Sequence, residues 1–248
     1  MKLGIYTCVG PTTCAGCVGS EGHEDQDMQQ FADWGAEYVK VDSCARNCTK
    51  AAGVPNASDP ACGRTLWSRY TEAINKTGKP MVYSLIGNLD PARGEQPWKY
   101  AKNVSNSWRT NIDIQIGFQT IPYIVDAQRR MGGNGSWCPF NQSLPDGPGW
   151  PCGSDGLPCP HCPGPESYSG PGHWNDMDML AIGTKSWLFS EPLTVGQSRA
   201  QLSLWAILKS PLLASADLGQ VGSELLEVFK NEEVLAVSDD PLGDAWHS

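Results

Sequence analysis

Residues 24–42 read EDQDMQQFADWGAEYVKVD. The first part predicts a helix over 24–35. Asp and Glu crowd its first turn, where they meet the positive end of the helix dipole, and Met28, Phe31 and Ala32 share one face. Gly35 stops it. Ala36 to Asp42 then alternates and turns apolar, which predicts a strand ending on an acid. A helix running straight into such a strand is half of a βα repeat.

The same rhythm lies on both sides. Leu3-Gly-Ile-Tyr6 predicts a strand, followed by a Gly/Pro/Cys-rich loop from Cys8 to Gly22. Residues 64–76 predict a helix with Leu66, Tyr70, Ala73 and Ile74 on one side, stopped by Gly78, and Pro80 to Ile86 predicts the next strand. A short helix is expected over 98–103, after which Ser107-Trp-Arg-Thr110 leads to Asp113 and an apolar run. Further helices are expected near 118–130, at 194–208 and from Glu224 to Lys230, ending at Asn231. His173 to Leu180 and Pro211 to Ser215 read as strands. Strands recur about every 30–40 residues, the spacing of a parallel α/β sheet or barrel. Residues 131–172 break the rhythm: they are rich in Gly, Pro, Cys and Ser and show no period, which predicts an insertion pinned by disulfides.

The chain has 248 residues, 10 Cys, 10 Trp and a formal net charge of −9. That length suits one barrel of about 250 residues. The acidic balance argues against a nucleic-acid partner, which needs clustered Lys and Arg. No long apolar run suggests a membrane span. The tryptophans either fill the core or stack on a flat-faced ligand such as a sugar. The cysteines could be buried thiols, metal ligands or disulfides. Cys159-Pro-His-Cys162 lacks a second pair at zinc-finger spacing. Asn47, Asn56, Asn75, Asn103, Asn134 and Asn141 each open an N-x-[ST] sequon, and together with the cysteines they favour disulfides and the secretory pathway. Met1-Lys-Leu-Gly-Ile-Tyr6 lacks the pattern of a signal peptide and reads as the middle of a strand.

In a barrel, acids at the C-terminal ends of strands are where chemistry is expected. Asp42, Asp113, Asp176 and Asp178 fit. Asp42 and Asp113 lie about two βα units apart, on next-but-one strands, so their carboxylates can face each other. Two facing carboxylates suit glycoside hydrolysis: one attacks the anomeric carbon or activates water, and the other protonates the leaving oxygen. Lys40 sits two residues before Asp42 and shares its side of the strand, where a cation keeps a nucleophilic carboxylate ionised. Arg109 sits where it could bind a sugar hydroxyl. There is no G-x-S-x-G, P-loop or G-x-G-x-x-G following a strand, so an acyl hydrolase or a nucleotide enzyme is unsupported.

Several blocks, in order, resemble the α-galactosidases (melibiases) of glycoside hydrolase family 27. They are Lys2-Leu-Gly-Ile-Tyr6, Thr13-Cys14-Ala-Gly, Gly19-Ser20, Asp33-Trp-Gly, Tyr38-Val-Lys-Val-Asp-Ser-Cys44, Asn106-Ser-Trp-Arg109, Gly172-His-Trp-Asn-Asp-Met-Asp-Met-Leu180, Leu204-Trp-Ala-Ile-Leu and Ser210-Pro-Leu-Leu. The resemblance implies a (β/α)8 TIM barrel and a retaining two-aspartate double displacement on terminal α-D-galactosides, with no metal and no cofactor. By motif position Asp42 is the nucleophile and Asp113 the acid/base, while Tyr6, Lys40, Arg109 and Asp178 line the sugar. Cys14 and Cys44 match the family disulfide. Retention implies carboxyl groups roughly 5–5.5 Å apart.

The family barrel begins with two strands that precede the Lys2 block and ends in a β-sandwich. Residues 1–248 are therefore expected to form a partial barrel of about strands three to eight, with the 131–172 insertion and without the sandwich. Where the family has Cys-Glu-Trp after the third block of the sheet, this chain has Ile86-Gly-Asn88. Gly87 leaves room at the sugar's 2-position, so α-N-acetylgalactosaminides or β-L-arabinopyranosides are alternative substrates. An inactive carbohydrate-binding remnant and a homodimer also stay open.

Overall fold

The computed structural model describes residues 2–47, 60–86, 98–111, 113–115, 117–130, 169–184 and 192–243. The chain divides into two compact units, Met1–Arg109 and Thr110–Ser248.

The first unit is built on parallel strands β1 (Gly4–Cys8), β2 (Tyr38–Asp42), β3 (Val82–Leu85) and β4 (Ser107–Arg109). Each pairs with the next in chain order, β1 on β2, β2 on β3 and β3 on β4. Helices α1 (Glu24–Asp33) and α2 (Pro60–Lys76) pack on each other, and a single helical turn, α3 (Trp98–Ala101), precedes β4. Helix α2 starts at Pro60, ahead of the expected residue 64. Proline's fixed φ suits a first helical turn, where its missing N–H costs nothing.

Side chains alternate along these strands. Val39, Val41, Tyr83, Leu85 and Trp108 are buried with Met28 and Ala32 of α1 and Leu66, Trp67, Tyr70, Ala73 and Ile74 of α2. The Tyr83 hydroxyl donates to the Trp67 carbonyl at 3.3 Å, and the Tyr70 hydroxyl to the Cys8 carbonyl at 3.1 Å. Burial pushes both phenols above their usual range, so both stay protonated donors. The register puts the other set in rows across the opposite face. Tyr6 aligns with Lys40, Lys40 with Ser84, and Ser84 with Ser107. The next row pairs Cys8 with Asp42.

The second unit contains β5 (Trp174–Asp176) and helices α4 (Thr120–Arg130), α5 (Val195–Ile207), α6 (Ser223–Phe229) and α7 (Glu232–Ser238). Its core joins Ile121 and Ile124 of α4, Met177, Leu180 and Ile182 after β5, Leu202 and Trp205 of α5, and Val228 of α6. Helix α5 begins with a reciprocal cap. The Thr194 hydroxyl accepts from the Gln197 N–H, and the Gln197 side chain accepts from the Thr194 N–H.

Three expectations change. The strand expected over 173–180 ends at Asp176, because Asp178 turns to a positive φ of 83°. Pro211–Ser215 is not a strand; Ala214 makes a single parallel bridge to Leu180. The helix expected to run to Lys230 ends at Phe229, with Lys230 as its C-cap, and Asn231 opens α7, its side chain accepting from the Val234 N–H at 3.0 Å. The expected insertion lies largely outside the described residues, as do Gly87 and the Cys159–Cys162 pair.

Trp67 has no exposed surface and its backbone carbonyl anchors Tyr83. Trp67→Ala should cost about 3–5 kcal/mol of unfolding free energy, read as a lower urea midpoint in chemical denaturation.

Candidate active site

Asp42 is the last residue of β2, and its carboxylate is held at both oxygens. The Tyr6 hydroxyl donates to Oδ2 at 2.5 Å, and the Ser43 backbone N–H donates to Oδ1 at 2.6 Å. Tyr6 reaches it from β1, 44% exposed on the same sheet face. Asp42 and Lys40 are half-buried on that face, while Arg109, the last residue of β4, is 2% exposed.

The loop after β1 closes over the end of β2. The Val9 N–H donates to the Asp42 carbonyl at 2.9 Å, extending the strand ladder. Thr12 and Val18 then bridge antiparallel, making a small hairpin with Cys14 near its tip. Cys14 and Cys44 are joined in a disulfide with a Cα–Cα distance of 5.2 Å. Its Cys14 sulfur lies 3.8 Å from Asp42 Oδ2, and its Cys44 sulfur 3.9 Å from the Tyr6 hydroxyl. The fit is tight enough to require glycine twice. A Cβ on Gly10 would strike the Cys44 carbonyl, and one on Gly19 the Gly10 carbonyl. Cys14, Asp42 and Cys44 are also the one group among the described residues with metal-ligand spacing. The disulfide ties up both sulfurs, which leaves the Asp42 carboxylate as the one ligand of that group.

Among the described residues two cysteines are free, one at the start of this loop and one within its hairpin. Cys8 is buried, its thiol donating to the Cys44 carbonyl at 2.9 Å, and burial pushes its pKa up; Cys17 is exposed. The loop expected to begin at Cys8 begins after it, since Cys8 is the last residue of β1. Ser43 acts through its backbone, which leaves no signal at all.

Asp113 and Asp178 belong to the second unit. Asp113 is exposed, on the loop between β4 and α4 and four residues past the end of β4. Asp176 closes β5 and is fully buried, and Asp178 is 6% exposed.

These units belong to the class of α/β proteins that display their chemistry at the C-terminal ends of parallel strands. The chain is a member of the alpha galactosidase A family, whose model matches residues 1–135 and 166–240. The gap between the two matches falls inside the 131–172 stretch. The chain is 34% identical over 244 residues to the alpha-galactosidase A of Cellvibrio japonicus, covering 98% of this chain and 49% of that protein. It is 30% identical over 250 residues to the alpha-N-acetylgalactosaminidase of Gallus gallus, covering 98% and 49%. The structure of alpha-galactosidase I from Mortierella vinacea matches with a TM-score of 0.67 and 26% identity, over 100% of this chain and 56% of that one. The fold is thus that of the TIM-barrel α-galactosidases. The chain spans about half the length of the curated relatives it matches.

The two free thiols should separate by reactivity. With iodoacetamide at about pH 8, where an ordinary thiol is partly ionised, the native protein should be modified at Cys17 and not at Cys8. Peptide mapping should find both modified after denaturation.

Proposed function

We propose that this chain carries catalytic machinery of a retaining glycosidase that removes terminal α-D-galactosyl residues from oligosaccharides or glycoconjugates. The observation that carries it is the Asp42 carboxylate, braced at both oxygens by Tyr6 and the Ser43 N–H at the end of a parallel strand. Family membership supports the substrate class.

In the first step Asp42 attacks the anomeric carbon. A glycosyl ester forms, the glycosidic C–O bond breaks, and the leaving oxygen takes the proton of Asp113. In the second step Asp113, now a base, takes a proton from water, the water oxygen attacks the anomeric carbon, and the ester bond to Asp42 breaks. The Tyr6 hydroxyl stabilises charge on Asp42 when the ester is cleaved, a hydrogen bond strongest to the free carboxylate. Lys40, Arg109 and Asp178 complete the assignment as sugar contacts, together with Tyr6. No step calls for a metal or an organic cofactor.

Passage through the secretory pathway belongs to the same reading. It is supported by the Cys14–Cys44 disulfide and by the exposure of the sequon residues Asn75 and Asn103. A second sugar is favoured by one finding, the similarity to the Gallus gallus α-N-acetylgalactosaminidase. A panel of aryl α-galactosides and α-N-acetylgalactosaminides ranks the two by kcat/KM.

In the enzyme expressed from its full coding sequence, Asp42→Asn should abolish turnover of an aryl α-galactoside. Near-normal activity removes Asp42 from the role of nucleophile. The first sugar formed by the wild type should be the α-anomer by proton NMR. A β-anomer would exclude retention, and sugar binding without turnover would leave a binding protein.

A further inference from the structure

The loop that carries Asp113 is anchored on both sides of that residue. Ahead of it, the Thr110 N–H donates to the Asp176 carbonyl at 3.2 Å. Just after it, the Ile114 N–H donates to Asp178 Oδ2 at 2.8 Å. The second bond matters more. The Ile114 N–H lies in the peptide plane that begins at the Asp113 α-carbon, so holding it restrains rotation at Asp113 itself.

Asp178 is itself held by an unusual number of bonds. Its φ of +83° is a conformation that non-glycine residues seldom adopt and that survives only where the surroundings enforce it. Its N–H donates to Asp176 Oδ1 at 2.7 Å, its carbonyl accepts from the Trp205 indole N–H at 2.7 Å, and its Oδ1 accepts from the Met179 N–H at 2.8 Å. Both carboxylate oxygens therefore accept a backbone N–H. Asn could not replace it, because its amide would face one of those donors with a donor. The side chain is 6% exposed, where losing a charge-assisted bond weighs heavily.

We infer that Asp178 is a positioning residue for Asp113: its carboxylate, on a backbone that Trp205 of α5 holds at the carbonyl, sets the placement of the acid/base loop. This rests on the assignment of Asp113 above and adds to Asp178 a task apart from sugar contact. Displacing a catalytic group by about 1 Å can cost some 10²-fold in rate.

The test compares kcat/KM for two α-galactosides. A dinitrophenyl leaving group departs without protonation, whereas an alkyl alcohol needs a general acid. Asp113→Ala is the reference and should lose activity mainly on the alkyl substrate. Asp178→Asn should show the same signature, falling about 10²-fold on the alkyl galactoside and only a few-fold on the dinitrophenyl one. Equal losses on both substrates would overturn the inference and leave Asp178 a sugar contact alone. If the Asp113→Ala reference shows no leaving-group dependence, the acid/base assignment itself fails. Activity on the dinitrophenyl substrate reports that each variant is folded. Should Asp178→Asn not fold, Trp205→Phe removes the indole donor from the Asp178 carbonyl and should give a smaller loss confined to the alkyl substrate. An equal loss on both substrates, or none, would overturn the inference there too.

Discussion

Everything in the first unit depends on the register of β2 between its parallel neighbours. With Tyr6, Lys40, Ser84 and Ser107 in one row, the alternating positions Val39, Val41, Tyr83 and Leu85 must all meet the helices. A slip of one residue would exchange the two sets, burying Lys40 and Asp42 under α2 and exposing two valines. Burial of an unpaired ammonium or carboxylate costs far more than the valines return. The apolar face thereby fixes where the polar one points, and the site is a consequence of how the core packs.

Asp42 gains its rigidity from what surrounds the end of that strand. The ladder runs one bond beyond β2, from the Val9 N–H to the Asp42 carbonyl, so the backbone of the acid is still part of the sheet. The disulfide then pins the hairpin beside it, and Gly10 and Gly19 admit the close backbone contacts that this needs. A loop of this composition would be mobile without the cross-link, since a disulfide acts chiefly by removing alternatives.

The parts legible in the sequence share one property: many residues state the same thing. Helix α1 has an acidic first turn, a buried face and a terminal glycine, and β2 has five residues of alternation with an acid at the end. The parts that were not legible each rest on one backbone event. The strand through Trp174 stops two residues short of Asp178 because an aspartate takes a left-handed turn, a conformation its sequence tolerates but does not demand. Pro211 to Ser215 has the composition of a strand, yet its backbone pairing among the described residues is with Leu180, which lies beyond the end of β5. Asn231 starts a helix one residue after the C-cap of the previous one, and periodicity cannot distinguish a stop from a start. The motif blocks name the proposed site residues, but the Ser43 and Ile114 N–H groups that bond to the Asp42 and Asp178 carboxylates carry no side-chain identity for a motif to register.

The two proposed catalytic acids are supported in opposite ways, and their tasks account for the difference. A nucleophile meets the substrate at one atom and gains from being immobile, so Asp42 is half-buried and braced by a phenol, an amide and a neighbouring disulfide. An acid/base must deliver a proton to a leaving group and later take one from water. It has to stay accessible to both, and Asp113 is exposed. Main-chain bonds on either side of the residue, to a buried, strongly hydrogen-bonded turn, fix where its backbone sits. A nearly buried acid behind an exposed one is then no redundancy of carboxylates: the one held by backbone N–H groups supports the one that solvent must reach.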